Sequence, residues 1–209
     1  PSSCQPTLSR LRFIRTSLLW RYYASWTSAL LLLTLPTAVS AQVFTYITNG
    51  TAITITQYTG PGGAVTIPDN IDGLTVTDIG PQAFSGSSNL TSINIPNTVT
   101  GIGVYAFYSC PNLDSVTLPD NLTDIRAGTF YNCPRLTSIR IPPSVTSIGD
   151  WAFGACWGLT KIAVGTGVTS IGGHAFENCY NLTRVAIPDS VSSIGDGAFQ
   201  NCTRLPSVT

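Results

Sequence analysis

The chain has 209 residues, 43% of them hydrophobic and 10% charged, against roughly 25% charged in a typical soluble domain; that composition excludes intrinsic disorder. Ten Lys and Arg balance ten Asp and Glu, and no basic cluster occurs beyond residue 21, which excludes the basic stripe a nucleic-acid binder needs. There is one His, one Lys and no Met, so residue 1 is not a translation start and the chain is expected to be part of a longer one.

Residues 1–41 differ from the rest. Arg10, Arg12, Arg15 and Arg21 are their only charges, Ala29 to Leu35 is strongly apolar, Pro36 breaks any helix, and Val39-Ser40-Ala41 supplies small residues. A basic start, an apolar stretch and a small-residue site make a secretory signal peptide, cleaved after Ala41. The alternative is an uncleaved anchor, since some twenty uncharged residues just span a bilayer. The segment carries four of the ten basic residues, so from residue 42 on six basic face ten acidic ones, a net charge of −4. Residues 42–66 read as a cap. Phe44 to Thr48, then Asn49-Gly50, then Thr51 to Thr56 is a hairpin signal, and a hairpin there covers the first edge of whatever sheet follows.

Residues 67–209 are periodic. Phe84, Phe107, Phe130, Phe153, Phe176 and Phe199 recur every 23 residues, in step with a Leu series from Leu90 to Leu205 and a Cys series from Cys110 to Cys202. An irregular unit, 67–89, carries a five-residue insertion around Asp72-Gly73 and Ser87 in place of Cys; five full units fill 90–204, and a truncated unit occupies 205–209. Each reads LxxIxIPxxVxxIGxxAFxxCxx. Ile93 and Ile95 point the same way from a strand, Pro96 ends its ladder, and Gly103 marks a bend. Ala106, Phe107 and Cys110 have the i, i+1, i+4 spacing of a short helical turn. One unit buries too little to fold alone, so units must stack.

These residues carry a resemblance. The run Leu136 to Gly149, followed by Ala152-Phe153-Gly154-Ala155-Cys156, resembles the BspA-type leucine-rich repeat over residues 67–209. The resemblance implies a right-handed solenoid with a parallel β-sheet on one face and short helical turns on the other. It also implies a secreted or cell-surface protein, often bacterial, that acts in adhesion and protein binding. Departures are local: Gly165 stands where other units have Pro, and Arg126 and Thr129 where they have Gly and Ala.

Signals for chemistry dissolve into the repeat. The 23-residue Cys spacing fits no zinc motif, and the periodic cysteines read as buried free thiols, with some disulfide pairing as the alternative; Cys4 belongs to the leader. His174, the single histidine, reads as a variable outward position. Gly101 to Ala106 matches a dinucleotide fingerprint only because the repeat writes it. The Asn-x-Thr sequons at Asn49, Asn89, Asn121, Asn181 and Asn201 carry glycans only in a host that glycosylates secreted proteins. No catalytic residue, cofactor or metal is expected. Two surfaces are candidates for binding: the sheet face, with Asn94, Thr117, Arg140, Lys161 and Arg184, and an aromatic surface, with Tyr105, Tyr108, Tyr131, Trp151, Trp157 and Tyr180. The expected function is an exported, non-catalytic module for binding a protein or glycan at the cell surface, touching membrane only through its signal segment. The alternative is a stalk displaying a further C-terminal domain.

Overall fold

A computed structural model describes residues 43–206. The expected signal segment 1–41, with Cys4, and the last three residues of the truncated unit lie outside the described residues.

The hairpin forms as read, with its two turn residues, Gly50 and Thr51, one position later than Asn49-Gly50. Strands β1 (Phe44–Asn49) and β2 (Ala52–Tyr58) pair antiparallel with Asn49 opposite Ala52, and Gly50 takes φ 63° in the turn, the left-handed geometry that right-twisted hairpins favour. Strand β3 (Gly63–Thr66) follows. The insertion makes a second hairpin: β4 (Asn70–Ile71) and β5 (Leu74–Ile79) pair antiparallel around Asp72-Gly73, both with positive φ. Strand β2 also pairs in parallel with β5, so the first hairpin seals the edge that β5 would leave open. Strand β3 pairs in parallel with β6 (Leu90–Asn94). Parallel coil-to-coil pairing therefore starts at Ala52 in the second row and at Gly63 in the first, inside the segment that reads as cap.

Each unit contributes two short strands, where the sequence suggests one. The first row is β6, β8 (Ser115–Thr117), β10 (Ser138–Arg140), β12 (Lys161–Ala163) and β14 (Arg184–Ala186). The second is β7 (Gly101–Ile102), β9 (Asp124–Ile125), β11 (Ser147–Ile148), β13 (Ser170–Ile171) and β15 (Ser193–Ile194). Within each row neighbours pair in parallel at a register step of 23, as in Ile139↔Ile162↔Val185 and Ile148↔Ile171↔Ile194, with a break in the ladder between β8 and β10 in the first row and between β7 and β9 in the second. A turn links the rows: Pro lacks the N–H to extend the first strand, and its carbonyl accepts from the residue three on, as in Val145 N→Pro142 O at 3.2 Å. Gly165 closes the same turn, with Val168 N→Gly165 O at 3.1 Å, so this departure leaves the backbone unchanged. Thr129, fully buried, satisfies its hydroxyl on Arg126 O at 2.7 Å.

The helical turn is corrected. No helix occurs among the described residues. Around Phe107, Ala106 N→Gly103 O and Tyr108 N→Tyr105 O close successive turns, while the alternate amides of Tyr105, Phe107 and Ser109 donate to Ala127, Thr129 and Tyr131 of the next coil at 2.8–3.0 Å. The device is a left-handed residue every fourth position: Tyr105 (φ 56°) and Ser109 (φ 52°), with Trp151, Ala155, His174 and Asn178 between 56° and 60° in later coils. A helix would turn every amide back into its own unit. The left-handed residues re-aim every second amide along the stack, so the coil-to-coil ladder continues across this face.

The core is a set of columns. Five Phe rings, Phe84 to Phe176, are fully buried; with the half-buried Phe199 they stack at centroid spacings of 5.0–5.4 Å, and Tyr58 caps the column at 5.1 Å from Phe84. The five described cysteines are buried and unpaired. Each thiol donates to the carbonyl of the Phe 26 residues earlier, Cys156 to Phe130 O at 3.2 Å for example. A small apolar side chain that also supplies one donor is what this position requires. Burial pushes the Cys156 thiol up to about 12 and Cys202 up to about 11, so these thiols stay protonated and unreactive at neutral pH. The recurring Asn-Leu-Thr has the same origin. Asn181 Nδ2 donates to Trp157 O at 2.8 Å, Leu182 points inward, and Thr183 Oγ1 donates to Thr160 O at 3.0 Å. The sequons are by-products of coil-to-coil bonding.

Candidate binding surfaces

The first strand row lifts Asn94, Thr117, Arg140, Lys161 and Arg184 to solvent, all exposed, because alternate residues of a strand face opposite ways. The structure divides them. Asn94 is opposite Thr117 in the sheet β3-β6-β8, and Lys161 is opposite Arg184 in the separate sheet β10-β12-β14; no ladder joins β8 to β10. Arg140 and Lys161 border a hollow of about 400 Å³ floored by Ala163 and Ala186. Arg140 Nη1 lies 3.6 Å from Asp120 Oδ1, with both side chains about two-thirds exposed, a pair of little energetic weight. The sheet face is thus two small patches, one neutral and one basic.

On the turn face the aromatic side chains form a continuous structure. Tyr105 meets Tyr108 edge-on (5.8 Å, 82°), Tyr108 stacks on Tyr131 (5.7 Å, 5°), Tyr131 meets Trp151 edge-on (5.8 Å, 71°), and Trp151 stacks on His174 (4.4 Å, 14°). Five rings from four consecutive coils make one ridge. Four of them, Tyr105, Tyr108, Tyr131 and Trp151, line a shallow groove of about 250 Å³, which continues past Tyr105 to Gln82.

Local backbone explains the ridge. Tyr105, Trp151 and His174 occupy the left-handed position of their coils, where a side chain is swung away from the core; Gly128 and Gly197 hold the same position in the other two. The glycines answer the rings beside them. A Cβ on Gly128 would overlap the Tyr105 ring, and one on Gly197 would sit 2.8 Å from the His174 ring. In this column Gly128 makes room for the Tyr105 ring and Gly197 for the His174 ring, while Trp151 and His174, in adjacent coils, stack on each other.

Two of the expected aromatic residues stand apart. Trp157 and Tyr180 are 47% and 42% exposed, follow the Cys of their units, and join no ring contact of the ridge; the Tyr180 hydroxyl donates to Asn178 Oδ1 at 3.1 Å. His174 belongs to the ridge although its sequence reads as an isolated variable position. Its Nδ1 lies 2.8 Å from Glu177 Oε2. Among the described residues no group of His, Cys, Asp and Glu converges as a metal site would, and no helix is long and apolar enough to cross a membrane.

Comparison with known proteins agrees with this architecture. A family profile described as the BspA type leucine rich repeat region matches in six copies over residues 77–206. A leucine-rich repeat protein of T. pallidum is 33% identical, with a TM-score of 0.73 over 80% of this chain and 90% of its own. One from Bacteroides ovatus is 34% identical, with a TM-score of 0.73 over 79% of this chain and 45% of its own. A leucine rich cell surface protein from Faecalibacterium prausnitzii is 32% identical, with a TM-score of 0.62 over 83% of this chain and 54% of its own. The chain spans about half the length of these last two. No curated protein matches it.

Proposed function

This chain belongs to the BspA-type leucine-rich repeat family, and from that premise we propose that it is an exported, non-catalytic module that binds a partner at the cell surface through its turn face. The observation that carries the reading is the five-ring ridge. Tyr and Trp rings clustered on a rigid surface are the residue types that dominate binding energy at interfaces. Most coil-to-coil bonding and the Phe column need nothing from them, so the scaffold stands without the ridge. The Arg-rich start and Val39-Ser40-Ala41 support export, and the F. prausnitzii relative is described as a cell surface protein. The only thiols among the described residues are buried in the core, and no acid, base and nucleophile recur together outside the repeat.

The test is expression from the full reading frame in a secreting host. The exported protein is expected to begin near Gln42 on N-terminal sequencing and to be released from intact cells by a protease. An intracellular product that retains residues 1–41 would refute export.

A further inference from the structure

We propose that the groove over Tyr105, Tyr108, Tyr131 and Trp151 takes a proline-rich peptide segment in the polyproline II conformation, a reading that rests on the turn face being the binding face. Three observations lead there. The first is where the rings are. Tyr105 and Trp151 adopt φ 56° and 59°, a region that disfavours bulky side chains and in which strain accumulates at functional sites. Glycine, already present at this position in two other coils, would relieve the strain, so stability does not account for rings here.

The second is shape. The stacked pair Tyr108/Tyr131 is met edge-on by Tyr105 at one end and Trp151 at the other. Two perpendicular pairs make two notches walled by ring faces. With a volume of about 250 Å³ the groove is smaller than the roughly 300–1,000 Å³ of pockets that enclose a compact ligand. It suits an extended one lying across it, with flat pyrrolidine rings seated in the notches.

The third is hydrogen bonding. The hydroxyls of Tyr105, Tyr108 and Tyr131 and the indole N–H of Trp151 have no hydrogen-bond partner among the described residues, and none of the four lining side chains is charged. A polyproline II segment has no internal hydrogen bonds and exposes its carbonyls, while each Pro lacks an N–H: an uncharged, acceptor-only ligand facing three hydroxyls and an indole N–H that can each donate to it. A glycan presents paired hydroxyls, which carboxylates and amides read best. The groove and its extension hold one such group, Gln82.

The experiment is titration of the purified chain with blocked decaproline, followed by the Trp151 indole resonance and by calorimetry, beside a blocked ten-residue Gly-Ser peptide and cellohexaose. Saturable binding of decaproline alone is expected. Trp151→Gly and Tyr108→Ala are expected to raise the Kd at least about tenfold, at unchanged unfolding midpoint for Trp151→Gly. Tyr108→Phe, which keeps the ring and removes only the donor, is expected to weaken binding less, and Arg184→Ala on the sheet face not at all. Absence of decaproline binding at millimolar peptide, binding that Trp151→Gly and Tyr108→Ala leave intact, or saturation by cellohexaose in its place would each overturn the proposal. If partners cross-link to the turn face on cells while decaproline does not bind, the ligand assignment falls and the binding face stands; if neither occurs, both fall.

Discussion

Removing the ring of Phe153 tests the stack at its middle, with a ring neighbour on either side. The side chain is fully buried, 5.4 Å from the Phe130 ring and 5.3 Å from Phe176, with rigid backbone ladders on both sides that cannot collapse into the gap. A Phe→Ala change at such a site costs about 3–5 kcal/mol, and the upper half applies here because two stacked contacts are lost. Phe199 is half-buried and has one ring neighbour, at 5.2 Å, so Phe199→Ala is expected to cost about half as much. Asp189 is exposed, so Asp189→Ala is expected to stay within ~0.5 kcal/mol. Asp150 is no neutral control, since its carboxylate accepts from Gly173 N at 2.7 Å, worth roughly 1 kcal/mol. The assay is urea unfolding followed by circular dichroism. Because coupling runs only between adjacent coils, a central defect should also lower the m-value as the two halves begin to melt apart, whereas Phe199→Ala frays one end. Equal, small shifts for Phe153→Ala and Asp189→Ala would refute the reading of the 23-residue period as a stacked core.

Two further outcomes follow from the core and the ridge. The Cys156 thiol is held at about 12 and that of Cys202 at about 11, against 9.0 when free. Between pH 9 and 11 the unfolded chain therefore loses these protons and the folded one keeps them. Stability is present below pH 9 and falls above it, by about 1.4 kcal/mol per pH unit for the fully buried Cys156 and by less for the partly solvated Cys202. Urea midpoints for the parent and Cys156→Ala should converge as pH rises through that window, and parallel curves would contradict the buried thiol. Gly128→Ala places a Cβ at φ 60° against the Tyr105 ring. The positive φ alone is expected to cost about 1 kcal/mol and the overlap with the ring more; only the overlap part is recovered in the double variant with Tyr105→Gly, and additive losses in a thermal-melt cycle would show that the two positions do not touch.

What was legible in the sequence was whatever the repeat multiplied. The Phe, Leu and Cys columns and the hairpin at Asn49-Gly50 each had a fixed spacing or a local signal strong enough to survive without tertiary context. The second strand row did not, because two residues such as Ser147–Ile148 are too few to display an alternation. The turn face was misread for a different reason: an inward pair at i, i+1 with a third residue at i+4 is compatible with a helical turn and with consecutive β-turns. Glycine at 128 and 197, one column with Tyr105, Trp151 and His174, was the available sign of a left-handed position, and it would have placed His174 in the ridge. Trp157 and Tyr180 looked equivalent to the other aromatic residues by type, but one period apart in their own column they flank no ring of the ridge. The breaks between β8 and β10 and between β7 and β9 have no sequence counterpart that the structure explains.

Whether the turn face meets a partner is decided most directly by site-specific photo-cross-linking on intact cells that produce the full-length protein. A benzophenone side chain is placed at Tyr108 on the ridge, at Arg184 on the basic patch of the sheet face, or at Asp189 on an exposed turn. A binding module that works through the aromatic ridge yields a discrete adduct from Tyr108, lost when Trp151→Gly is added, and little from the other two positions. Adducts concentrated at Arg184, or none above background at any of the three, would contradict it.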